Sequence, residues 1–114
     1  MMDCIFCGII NGELKGEILF QDDSVVALKD INPQAPVHLL LIPRKHIATL
    51  LDLEPGDDAL MGHVVAVSMK LARDQGISES GFRLVANCGS GAGQSVFHIH
   101  FHLLGGRSMR WPPG

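Results

Sequence analysis

Three histidines stand within five residues in the run Phe97-His98-Ile99-His100-Phe101-His102-Leu103, where imidazole alternates with an aromatic or aliphatic side chain. In a strand this period of two sends the odd residues to a core and all three imidazoles to the opposite face, with neighbouring rings about 6.6 Å apart. Three rings on one face can form a solvated surface or hold a catalytic metal through two of their nitrogens. They can also attack phosphorus, because neutral imidazole is a good nucleophile near neutral pH and its nucleotidyl adduct stays open to water. The phosphorus reading needs anion-binding donors nearby. The loop Asn87 to Ser95 offers them: Gly89, Gly91 and Gly93 permit a positive φ that aims backbone N–H groups at an anion, and Ser95 adds a hydroxyl. A second constellation, Cys4-Ile5-Phe6-Cys7, is either two ordinary thiols or half of a tetrahedral zinc site that needs two more N or S ligands from elsewhere. The remaining cysteine, Cys88, reads as a lone thiol.

Few elements are needed to position these groups. Cys4 to Asn11 predicts a short N-terminal turn or helix. Ile18 to Phe20 and Val25 to Leu28 flank the polar turn Asp22-Asp23-Ser24 and predict a hairpin. After the break Asn32-Pro33-Gln34-Ala35-Pro36, the run Val37 to Ile42 predicts a buried strand ended by Pro43. Asp57 and Asp58 suit a helix N-terminus, Leu60, Val64, Val67 and Leu71 follow at spacings of four, three and four, and Gly76 suits the C-terminal cap. Phe82 to Ala86 and Phe97 to Leu104 predict the last two strands. The expected fold is α+β: a five-stranded antiparallel sheet with one long helix and a short N-terminal helix.

A length of 114 residues allows one domain, taken as residues 1–114. So small a core makes help from a metal or a second subunit a reasonable expectation. Nine Lys and Arg against twelve Asp and Glu give a net charge of -3 with no basic block, which argues against nucleic acid and requires any phosphate to be gripped locally. No signal-peptide pattern opens the sequence and no apolar run is long enough for a bilayer, so the expected location is cytoplasmic, with no membrane partner. In that compartment cysteines serve metals or thiol chemistry rather than disulfides.

The run His98-Ile99-His100-Phe101-His102-Leu103-Leu104 resembles the motif of the histidine triad superfamily of nucleotide hydrolases and transferases, in which three His alternate with hydrophobic residues. Asp30 to His38, Ile42-Pro43-Arg44-Lys45-His46-Ile47, Asn87, Gly93-Gln94-Ser95 and the tail Gly105 to Gly114 extend the likeness to the Hint branch. The tail sets the chain apart from Fhit-like dinucleoside polyphosphate hydrolases. The third His sets it apart from the galactose-1-phosphate uridylyltransferase branch, where Gln stands at that place.

The resemblance implies hydrolysis of purine nucleoside phosphoramidates by a homodimer without an organic cofactor. His100 would be the nucleophile on the α-phosphorus and His102 would contact the phosphate. Ser95 would hydrogen-bond near the leaving group, and backbone of Gly93, Gln94 and Ser95 would hold the phosphate oxygens. Asp30 would bind the ribose hydroxyls, Ile31 would lie against the base and Asn87 on the sugar-phosphate side. His38 would act as a proton relay or orienting group. Phe6, Ile9 and Leu28 are candidates for an apolar purine slot, and His63 reads as a surface residue. Zinc-containing relatives supply the missing ligands by analogy, His46 after Pro43 and His98, making a closed and therefore structural site with Cys4 and Cys7. Animal members of the branch lack the cysteine pair, a departure within the likeness.

Overall fold

In a computed structural model, which describes residues 4–114, five strands form one antiparallel sheet in the order β1-β2-β3-β5-β4. The strands are β1 (Ile18–Gln21), β2 (Val25–Lys29), β3 (Val37–Pro43), β4 (Phe82–Ala86) and β5 (Phe101–Gly105). Two helices accompany them, α1 (Ile5–Ile10) and α2 (Asp58–Asp74). Among the described residues no helix is long and apolar enough to cross a membrane.

Period-two alternation divides the sheet into two faces. Val25, Ala27, Leu39, Leu41 and Leu103 point to one side, where Val64, Val67, Leu71 and Ala72 of α2 pack against them. Val26, Leu28, Leu40 and Ile42 point to the other, where Phe6 of α1 completes a second, smaller core. The register that pairs Leu40 with His102 and His38 with Leu104 places both histidines on this second face. One face therefore supplies stability and the other carries the polar site.

Turn chemistry matches the sequence at both ends of this frame. The Asp22 carboxylate accepts from the Ser24 and Val25 N–H groups at 2.8 Å each and closes the β1–β2 hairpin. At the end of α2 the cap residue is Gln75, and Gly76 follows it at φ +75°. The Gly76 and Ile77 N–H groups then donate back to Arg73 and Ala72, an arrangement that turns the chain out of the helix.

The predicted strand Phe97 to Leu104 is corrected: only Phe101–Gly105 joins the ladder. Before Phe101 the alternation also fails, with Phe97 47% exposed while His98 and Ile99 next to it are both buried. The Ile99 N–H donates to the Ile47 carbonyl at 2.6 Å, so this stretch is tied to the loop after β3 rather than to a neighbouring strand. The three imidazoles accordingly do not share one strand face.

Candidate active site and metal centre

Each triad histidine has a separate environment fixed by backbone or side-chain partners. The His98 ring donates from Nε2 to the Pro43 carbonyl at 2.7 Å, since a carbonyl can only accept. Its Nδ1 lone pair is left facing Cys4 Sγ at 3.4 Å, Cys7 Sγ at 3.6 Å and His46 Nδ1 at 3.1 Å, while Cys7 Sγ lies 3.3 Å from His46 Nδ1. All four donor atoms lie within 4.8 Å of one another. Tetrahedral zinc, with bonds of about 2.0–2.1 Å to nitrogen and about 2.3 Å to sulfur, sets its ligands roughly 3.3–3.7 Å apart. These residues fit that ion. The carbonyl of Pro43 holds the His98 tautomer from behind, and the Cys7 N–H donates to Cys4 Sγ at 3.3 Å. Burial and the adjacent Cys4 raise the Cys7 thiol, and a bound cation would favour its thiolate.

His100 donates from Nδ1 to the His98 carbonyl at 2.8 Å, leaving Nε2 with a free lone pair. Its ring meets Phe6 edge-on, with centroids 5.0 Å apart, and lies 5.2 Å from the His102 ring, closer than the 6.6 Å spacing expected of a regular strand. The Gln34 N–H donates to His38 Nδ1 at 3.0 Å, so neutral His38 carries its proton on Nε2. That nitrogen sits 2.9 Å from His102 Nδ1 and 3.3 Å from the Asp30 carboxylate. His102 is thereby left with its own proton on Nε2. One ring of the His100–His102 pair thus offers a lone pair and the other a donor.

Asp30, His38 and His102 also cluster within reach of a common ion. The Gln34 bond argues against a metal there. A ligand lone pair on His38 Nε2 would require a proton on Nδ1, pointed at another N–H.

Burial lowers His38 below the ordinary imidazole value, with the Asp30 carboxylate partly opposing it. Burial also lowers His102, reinforced by the His100 and His38 rings and again opposed by Asp30. Both shifts favour the neutral ring.

A cleft of about 310 Å³ opens beside this pair. Ile5, Phe6 and Ile9 of α1, Leu28 and Leu40 supply apolar lining, Asp30, Ser95, His100 and His102 supply polar groups, and the exposed Ile31 adds a further apolar side chain. Phe6, Ile9 and Leu28, the candidates for an apolar slot, all reach it. Asn87 does not line the cleft; it stands just past β4, with its amide beside Gly93.

Gly89 and Gly93 take positive φ, at 89° and 96°, whereas Gly91 lies in a 3₁₀ turn and does not use that freedom. Sequence reasoning missed the role of the Gln94 side chain. It is buried, accepts from the Gly89 N–H at 2.8 Å and donates to the Ala48 and Val96 carbonyls, bracing the glycine loop from within. His63 is a surface residue, as expected, yet it bonds the Asp22 carboxylate at 2.6 Å and ties α2 to the hairpin turn.

A model of the HIT domain matches residues 11–109. The chain belongs to the HIT domain family. A HIT-like protein of Synechocystis, described as uncharacterised, is 50% identical over 112 residues, 98% of this chain and 97% of its own length. The crystal structure of a HIT family hydrolase from Legionella pneumophila superposes with a TM-score of 0.97 at 52% identity, covering 98% of this HIT protein and 100% of that chain. A zinc-bound histidine triad family protein from Mycobacterium smegmatis has a TM-score of 0.80 at 32% identity, covering 99% of this chain and 85% of that one. The HIT fold is therefore common to all three, and the sheet order described above is its frame.

Proposed function

We propose that this HIT protein is a hydrolase of purine nucleoside phosphoramidates, working through a nucleotidyl-histidine intermediate. The observation that carries the reading is the fixed tautomer of His100, whose Nδ1 is spent on the His98 carbonyl while Nε2 keeps its lone pair beside the cleft. The apolar wall of Phe6, Ile9 and Leu28 suits a purine, Ile31 closes over the base, and Asp30 accepts from the ribose hydroxyls. Nε2 of His100 attacks the α-phosphorus and the P–N bond breaks, the leaving nitrogen departing as the amine with a proton relayed from solvent through the Ser95 hydroxyl. His102 Nε2–H donates to a phosphate oxygen as charge grows on it, and backbone N–H groups of Gly93, Gln94 and Ser95 hold the others. Asn87 supports the sugar-phosphate side. Water then attacks the same phosphorus, breaks its bond to His100 and releases AMP, returning to solvent the proton that the leaving amine took up. His38 and Asp30 keep His102 in the donor tautomer throughout.

In this reading zinc is structural. Cys4, Cys7, His46 and His98 would hold it, and a closed four-ligand set leaves no position for substrate. The chain acts as one domain, residues 1–114, in a cytoplasmic homodimer. The fit of the paired thiols to a metal supports a reducing compartment.

The deciding experiment compares wild type with His100→Ala on an adenosine phosphoramidate. Turnover should fall by more than about 10³-fold while AMP still binds, as expected when a covalent nucleophile is removed. Unchanged turnover would refute the mechanism.

A further inference from the structure

The α1 helix serves two sites at once. Its first turn is framed by Cys4 and Cys7, which face His46 and His98, and its other side presents Ile5, Phe6 and Ile9 to the cleft. Phe6 touches both neighbourhoods directly: its ring lies edge-on to the metal-facing His98 at 6.1 Å and edge-on to His100 at 5.0 Å. A helix of six residues has little stability of its own. What fastens α1 to the sheet is the insertion of Phe6 into the smaller core, with Ile9 and Ile10 beside it, together with the two cysteines.

From this geometry we infer that the Cys4–Cys7–His46–His98 centre is coupled to nucleotide binding through α1, with Phe6 as the positioning residue between them. The inference rests on the nucleotide reading given above. With all four ligands engaged, α1 is pinned and the purine wall is preformed. With them released, the wall must be ordered by the nucleotide itself, so binding weakens. Coupling between two equilibria is reciprocal, and a nucleotide in the cleft must tighten metal binding by the same factor.

The test uses the full chain loaded with zinc and AMP as the probe. Removing zinc by chelation should weaken AMP binding about tenfold or more. Saturating AMP should raise the zinc affinity measured against a competing chelator by an equal factor. Amide exchange should show residues 5–10 losing protection on chelation while β3 and β5 keep theirs. Phe6→Ala should abolish most of the coupling, and Phe6→Leu should retain most of it.

Equal AMP affinity with and without zinc would overturn the coupling and leave the nucleotide reading intact. Failure of AMP to bind the zinc-loaded chain would remove both. Loss of protection across the whole sheet on chelation, or full coupling in Phe6→Ala, would also overturn the inference.

Discussion

At the residue scale the site is defined by where each imidazole proton is held. The Pro43 and His98 carbonyls and the Gln34 N–H are backbone groups that the fold has already placed, and each fixes one tautomer. Three chemically identical side chains are therefore presented in three different ways: His98 with Nδ1 toward the cysteines, His100 with a lone pair on Nε2, and His102 with a proton on Nε2. The pH dependence follows from the buried pair. His38 and His102 are held below the ordinary value of about 6.5. The neutral form of this pair should therefore persist as pH falls through 6.5, and the His38 and His102 ring signals followed by NMR should titrate below that value. Asp30 opposes the shift in both rings, so Asp30→Asn should move both titrations to still lower pH. Midpoints at or above 6.5 in wild type, or displaced upward in the variant, would contradict the assignment. The same sign applies to folding: an unfolded chain takes up protons below about 6.5 that these rings refuse, so their contribution to stability is full above that pH and lost below it.

At the element scale much of the fold is legible in the sequence, because α1, the hairpin, β3, α2 and β4 are each specified by local pattern and turn chemistry. The segment 97–100 is different. Alternation predicts that it pairs as a strand, but it cannot reveal that the His98 ring is turned wholly inward, or that the Ile99 amide bonds a loop. Those facts depend on residues some fifty positions away. The inward-facing Gln94 was equally hidden, since a glutamine amid glycines carries no local signal of burial. Gly105 shows a packing constraint of the same kind. A Cβ there would stand 2.6 Å from Ile77 Cδ1 and 2.9 Å from its Cβ, at the point where the chain leaving α2 crosses β5. Gly105→Ala should destabilise the protein by about 1–3 kcal/mol through overpacking. A denaturant midpoint equal to that of wild type would show that Ile77 yields freely.

At the scale of the whole molecule, β4 is an edge strand, and the half-exposed Phe82 at its start lies outside either core. An unpaired edge is a ready surface for a second chain. The proposed homodimer should sediment at twice the 12.3 kDa chain mass, and a monomer at micromolar concentration would count against it. The strand order has a further consequence, in time rather than space. His38 and His102 are separated by 64 residues yet meet across adjacent central strands. Closing that interval requires α2 and β4 to be accommodated first or together, whereas the β1–β2 hairpin needs only its own turn. A chain halted part-way through folding can thus hold its hairpin and α2 and still lack the His38–His102 contact. For the proposed reaction, competence for chemistry waits on the pairing of β3 with β5.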